Sequence, residues 1–189
     1  MRPIRLGSLH LELTPLPAAA AAALPDDRAA ASRVIGATLP DPWPQMDLLD
    51  VLPVQAAAEP ADEPYGIWLM IERDSNTVVG DIGFTGPPDG GVVEIGFSVI
   101  PDRRRRGYAT EAARSLIDWA FGEPRIRQVT ARTEPENEAS ARVLAATGFA
   151  RRRRSSCQAA GVPAAWAATI RSTARWRPRP PILKAQAWL

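Results

Sequence analysis

The chain is short of the residues that most often carry chemistry on their own: among 189 residues there is one cysteine, Cys157, and one histidine, His10. A single copy of each excludes an intramolecular disulfide framework and a Cys/His zinc site. It also excludes a Cys–His or Ser–His catalytic pair unless His10 serves, and His10 falls in an alternating run from Leu9 to Leu13 that reads as part of a first strand. Long hydrophobic runs are missing too, since no apolar stretch reaches the roughly 18 residues needed to span a bilayer. Arg2, Arg5 and an alanine tract give the opening residues the outline of a signal peptide, but Glu12, Pro15 and Pro17 interrupt any apolar core. The expectation is a soluble, cytoplasmic protein with no metal and no membrane contact.

Apolar residues at 46% and charged residues at 23% are close to globular averages, so the chain carries enough apolar surface to fold. Its length favours one domain with an accessory segment. The net charge of +2 conceals an asymmetry: residues 1–150 hold 14 Arg against 21 acids, whereas residues 151–189 hold eight Arg, one Lys and no acid. The two parts differ in kind. The expected organisation is a domain over 1–150 and an atypical basic tail over 151–189.

Ile4 to Leu13 reads as an opening strand, and Pro17 to Ile35 as an alanine-rich helical stretch divided at Pro25. Leu39 to Pro64 is rich in Pro and acids, with a short helix around Met46 to Leu52. Three β-rich runs follow, Gly66 to Arg73, Thr77 to Phe84 and Val92 to Ile100, separated by turn residues, which makes an antiparallel meander. The period then changes. Ala109, Ala112, Ala113, Leu116, Ile117, Ala120 and Phe121 recur at helical spacing until Gly122 and Pro124. Gln128 to Thr133 is another strand, and Asn137 to Thr147 a second helix with Ala141, Leu144 and Ala145 as its apolar stripe and Gly148 as its stop. The order implies an α/β fold: a mixed, mostly antiparallel central sheet flanked by helices.

Between the third meander strand and the helix starting near Tyr108 lies a turn with four consecutive arginines, Arg103 to Arg106, followed by Gly107. The free N–H groups of such a turn and of the helix's first residues form a concavity suited to a pyrophosphate, with guanidinium groups at its rim. On chemistry alone, a charged Gly-capped turn is equally a solvated connection.

The surrounding residues resemble the GNAT superfamily of acetyl-coenzyme A dependent N-acetyltransferases. Its signature of Arg or Gln, two residues, Gly, one residue, then Gly or Ala stands here as Arg104-Arg105-Arg106-Gly107-Tyr108-Ala109, directly after a strand. A second match, Asn137-Glu138-Ala139-Ser140 through to Gly148-Phe149, resembles the form found in the branch acetylating ribosomal-protein N-termini. The resemblance covers residues 8 to 150.

The resemblance implies acetyl-coenzyme A as cosubstrate, no metal, and direct attack by a primary amine of a protein N-terminus or small molecule in a ternary complex. It implies that the strand before the turn splays from its neighbour so that Phe97, Ser98 and Val99 bind the pantetheine arm, with a backbone N–H polarising the thioester carbonyl. The pyrophosphate would lie over Arg104, Arg105, Arg106, Gly107, Tyr108, Ala109 and Thr110, and Asn137 would reach the pantetheine amide. Tyr108 reads mainly as packing, and some of the four arginines as merely solvated. Glu94, the acid of an otherwise apolar strand, is the candidate to take the amine's proton, or else a solvent-facing residue. Where many relatives carry a Tyr to protonate the leaving thiolate, this chain has Leu144, which leaves Ser140, one turn after Asn137, as the candidate donor or as a small residue packed against the cosubstrate.

After Phe149 the closing strands of the family are not evident. Three readings remain: a basic arm for RNA, with Trp166, Trp176 and Trp188 interleaved; a frame-shifted end on an impaired enzyme, or one that has diverged; or strands hidden in Ala164 to Arg171 and Ile182 to Leu189. The second is slightly favoured over the first. The acceptor's identity and the oligomeric state are not encoded legibly.

Overall fold

The computed structural model describes residues 4–152 and 166–171. Eight strands form one sheet in the order β1-β2-β3-β4-β5-β6-β8-β7. The expected opening strand is a hairpin: β1 (Leu6–Gly7) pairs antiparallel with β2 (Leu11–Pro15) around Ser8, whose N–H and hydroxyl both donate to the Leu11 carbonyl. His10 therefore lies in a turn, half exposed, with Nδ1 2.9 Å from Glu111 Oε2.

The helical stretch divides around Pro25 as expected, into α1 (Ala18–Ala23) and α2 (Arg28–Ile35), the second capped by the Asp27 carboxylate accepting from Ala30 N–H. The acid-rich segment carries two short helices where one was expected, α3 (Met46–Leu49) and α4 (Leu52–Ala56), the latter with Pro53 in its first turn, where proline fits a helix start. Then comes the meander β3 (Ile67–Glu72), β4 (Thr77–Phe84) and β5 (Val92–Val99), followed by α5 (Tyr108–Gly122), β6 (Gln128–Thr133) and α6 (Glu138–Ala146). All pairings are antiparallel except β5 with β6.

Two apolar layers enclose the sheet. One packs α5 through Ala112, Ala113, Leu116, Ile117 and Ala120 onto Trp68, Met70, Val79, Ile82 and Ile95. The other packs α1 to α4 through Ala20, Ala31, Leu48 and Leu52 onto Ile67, Leu69, Ile71 and Val78, with Trp43 wholly buried among them. A bulge where β4 passes Met70 and Ile71 shifts the register, so that Val78 faces the second layer and Val79 and Ile82 the first. Gly80 sits at this bulge because a Cβ there would lie 2.2 Å from the Ser98 carbonyl oxygen.

One expectation is corrected. On α6, Ala141 and Ala145 are exposed; Leu144 is the buried residue, with Val143 packed beside it. The sheet continues past residue 150, as in the reading that placed a hidden strand within Ala164 to Arg171. β7 (Ala150–Arg152) and β8 (Trp166–Arg171) close it, with β8 lying between β6 and β7. The run Trp-Ala-Ala-Thr-Ile-Arg holds three strand-favouring residues but lacks polar–apolar alternation, and pairing along β6 places it in the sheet. Trp176, Trp188 and Ile182 to Leu189 lie outside the described residues, and nothing observed supports contact with RNA.

Candidate active site

β5 and β6 pair from Val92↔Gln128 to Ile95↔Ala131, and there the ladder stops although β5 runs on to Val99 and β6 to Thr133. The two strands part at Gly96. Thr85 N–H donates to the Glu94 carbonyl and Ile100 N–H to the Val79 carbonyl, so the even-numbered residues of β5 bond toward β4. Alternation then turns the backbone groups of Phe97 and Val99 toward the gap. Ser98 instead bonds toward β4, and its contribution is the side chain.

Beyond β5, the turn reaches α5 through two residues of positive φ, Arg105 at 63° and Gly107 at 83°. The first helical backbone bond runs from Glu111 N–H to the Gly107 carbonyl. The N–H groups of Arg105, Arg106, Gly107, Tyr108, Ala109 and Thr110 have no acceptor among the described residues. Gly107 has nothing within 4 Å of a hypothetical Cβ, so the space above the turn is open. Ala109 and Thr110 are half-buried on the first turn of α5.

Glu72, at the end of β3 and 8% exposed, anchors this turn. Its carboxylate accepts from Arg103 Nη1 at 2.7 Å, from Ser75 Oγ at 2.6 Å and, through a short bond, from the Tyr108 hydroxyl; Arg106 Nη1 stands 3.8 Å away. The hydrogen bonds from Ser75 and Tyr108, with the two guanidiniums, hold the Glu72 carboxyl below the usual range despite burial. Burial and that carboxylate push the Tyr108 phenol up. Tyr108 is thus a buried brace. Arg103 is spent on Glu72, and Arg104 folds back so that Nε donates to the Val99 carbonyl at 2.9 Å and Nη2 to Gln45 Oε1 at 3.3 Å. Arg105 is exposed, and Arg106 is half exposed beside Glu72.

A cleft of about 950 Å³ opens between the α3–α4 segment and the sheet, lined on the strand side by Asp81, Gly83, Phe84, Gly96 and Phe97. Its remaining charged lining is Asp47, Glu59 and Asp62, with no Lys, Arg or His among the described residues. Asp81, 7% exposed, is paired with Ser98 across β4 and β5. Its Oδ2 accepts from Trp43 Nε1 at 2.8 Å and Ser98 Oγ at 2.9 Å, while Gln45 Nε2 donates to Ser98 Oγ at 3.0 Å. Burial pushes the Asp81 carboxyl up to about 6 against those two hydrogen bonds, with Asp47 adding to the rise.

Of the residues singled out by sequence, Phe97, Ser98, Val99 and Arg104 to Thr110 converge on the gap and the turn. Glu94 lies below the parting and is held by Arg132 Nε at 2.7 Å; it does not line the cleft. Asn137 caps α6, its Oδ1 accepting from Ser140 N–H at 3.0 Å, which leaves its amide N–H groups as donors. Ser140 is half-buried on the first turn of α6. Sequence reasoning missed Trp43, Gln45 and Asp81. The signal for Asp81 was present, an acid inside the apolar run Thr77 to Phe84, but no motif marks it.

The family model described as acetyltransferase (GNAT) domain matches residues 10–150. The uncharacterized N-acetyltransferase YjdG of Bacillus subtilis (strain 168) is 32% identical over 145 residues, covering 75% of this chain and 85% of that protein. Among solved structures, a putative ribosomal-protein-serine acetyltransferase from Vibrio cholerae superposes with a TM-score of 0.61 at 17% identity, covering 91% of this chain and 100% of that one. The microcin C7 self-immunity acetyltransferase MccE, solved in complex with acetyl-CoA and AMP, gives a TM-score of 0.60 at 13% identity, covering 86% and 93% respectively. These two likenesses show the fold.

Proposed function

The chain belongs to the GNAT acetyltransferase family, a fold that uses acetyl-coenzyme A, and from that premise we propose that it acetylates a primary amine, on a protein N-terminus or a small molecule, bound in the cleft beside Gly96 and Phe97. The observation that carries this reading is the parting of β5 from β6 at Gly96, with unpaired N–H groups beyond it and a cation-attracting cleft beside it.

The residues present fit the cosubstrate. A pyrophosphate requires convergent donors and positive charge, which the N–H groups of Arg105 to Thr110 and the exposed Arg105 and Arg106 supply. A pantetheine arm requires strand-like partners, which Phe97 and Val99 offer at the gap. Acetyl-coenzyme A supplies an acetyl group activated as a thioester. The N–H groups of Phe97 and Val99 are the donors available to a developing oxyanion, the free amide of Asn137 serves the pantetheine, and Ser140 is the hydroxyl available to the leaving sulfur, since position 144 is a leucine with no proton to give. Holding amine and thioester side by side converts a bimolecular encounter into a local one, so positioning supplies much of the rate.

Two measurements test this. Saturating coenzyme A at about 100 times its Kd raises stability by about 2.7 kcal/mol, a melting shift of about 5 to 10 °C at this chain length, and Gly107→Leu, whose side chain would project into the open space above the turn, abolishes the shift. Thiol release from acetyl-coenzyme A, followed with a panel of peptides bearing free N-termini and of small amines, identifies the acceptor. No shift with either form of the cosubstrate would sink the reading.

A further inference from the structure

We propose that Asp81 is the catalytic base of the acetyl transfer, with Oδ1 taking the proton from the acceptor ammonium in the cleft and Trp43, Ser98 and Gln45 holding the carboxylate for that purpose. The inference rests on the acceptor reading of the cleft given above.

Three features of the geometry carry it. Both protein hydrogen bonds to Asp81 fall on Oδ2. Oδ1 has no partner among the described residues, and Asp81 lines the cleft. The same cleft is lined by Gly96 and Phe97, where β5 leaves β6, so the carboxylate and the proposed thioester site border one space. Glu94, by contrast, is bound to Arg132 and does not itself line the cleft.

The charges facing Asp81 favour a cation beside it. Asp47 on α3 raises its proton affinity directly, and Glu59 and Asp62 line the same cleft. On the strand side its register neighbours are Leu69 on β3 and Ser98 on β5, neither ionised. The linked guanidinium is that of Arg104, joined through Gln45 and Ser98.

The step balances as follows. One ammonium proton passes to Asp81 Oδ1, and the freed nitrogen lone pair forms the C–N bond at the thioester carbonyl carbon. The C–S bond breaks, and its electron pair leaves on sulfur. The second nitrogen proton goes to that sulfur, giving the thiol. Asp81 returns its proton to water, so each turnover releases one amide, one thiol and one proton.

The test compares wild type, Asp81→Asn and Ser98→Ala on an amine that the wild type acetylates. Asp81→Asn keeps an oxygen to accept from Trp43 and Ser98 but lacks the basic site. Its kcat is expected to fall about 100-fold, within the usual range for losing a general base, while the coenzyme A melting shift is retained. Wild-type kcat/KM is expected to decline below about pH 6. That limb should vanish in Asp81→Asn and move to higher pH in Ser98→Ala, which removes a hydrogen bond favouring the carboxylate. Asp81→Asn within threefold of wild type with the same pH profile overturns this inference and leaves the proposed function standing. Should Asp81→Asn fail to fold, an unmoved limb in Ser98→Ala overturns it. A wild type that turns over no amine on the panel overturns both.

Discussion

A carboxylate that is 7% exposed and held by two neutral donors is expensive to ionise, and Asp81 accordingly binds its proton up to about pH 6 in the folded protein against about 3.8 unfolded. The linkage sign is then fixed. Between pH 4 and 6 the folded state holds a proton the unfolded state has lost, so this residue's contribution to stability falls as pH rises and is at its worst above 6. Asp81→Asn should therefore be more stable than wild type at pH 8, by about 1 to 3 kcal/mol, and equal to it near pH 3, as urea melts at the two pH values would show. Gain of stability with loss of activity marks a group kept for function. Glu72 is the opposite case: donors and guanidiniums lower its proton affinity, so its contribution is present above about pH 4.5 and is lost as acid titrates the folded carboxylate. Glu72→Gln should cost about 2 kcal/mol at pH 7 and almost nothing in strong acid, and acid-dependent melting would check it. The sequence made Asp81 hard to read for a physical reason. Strict alternation places it on the same face as Val79, whereas the bulge at Val79, just ahead of Gly80, turns it to the face of Trp43.

At the level of elements, what was legible tracks how local the cause is. The limits of β4 and β6 and the start of α5 follow from turn residues and periodicity in the residues themselves. The opening hairpin was not legible because two short strands joined by a tight turn mimic one longer alternation. α6 was misread on its apolar face because alanine is a helix former wherever it points; Ala141 and Ala145 are exposed while Leu144 anchors the helix. β8 was hidden for a different reason. Trp166, Thr169 and Ile170 favour a strand, but the run lacks polar–apolar alternation, and its place in the sheet is set by register with β6 from Gln128↔Arg171 to Thr133↔Trp166. Removing residues after Arg152 strips β8 from between β6 and β7 and leaves the outer edge of β6 with unpaired N–H and C=O groups. An edge of that kind recruits other chains. The truncated chain should melt about 5 °C lower or more and scatter light on heating, which calorimetry and light scattering would detect; unchanged melting would mean that the sheet does not depend on β8.

Across the whole molecule, the turn and the cleft carry opposite charge, as the proposed function requires of an anionic cosubstrate and a cationic amine. Arg105 and Arg106 stand on the turn, whereas the cleft is lined by Asp47, Glu59, Asp62 and Asp81 without a cation among the described residues. The formal charge of +2 says nothing of this, because the asymmetry that organises the site lies within the first 150 residues, between one turn and one cleft. Neither attraction survives screening intact: the Debye length falls from about 30 Å at 0.01 M salt to about 3 Å at 1 M. KM for acetyl-coenzyme A and KM for a cationic amine should thus both rise with salt. The two dependences are separable, since the charges sit on different elements. Replacing Arg105 and Arg106 together by Gln leaves the unpaired N–H groups in place but removes the guanidiniums. It should raise KM for acetyl-coenzyme A several-fold at low salt and flatten its salt dependence, while the salt dependence of KM for the amine stays as in the wild type. Initial-rate measurements across 0.01 to 1 M salt, varying one substrate at a time, would reveal it. If the amine's dependence flattened equally, the turn and the cleft would not be acting as separate electrostatic sites.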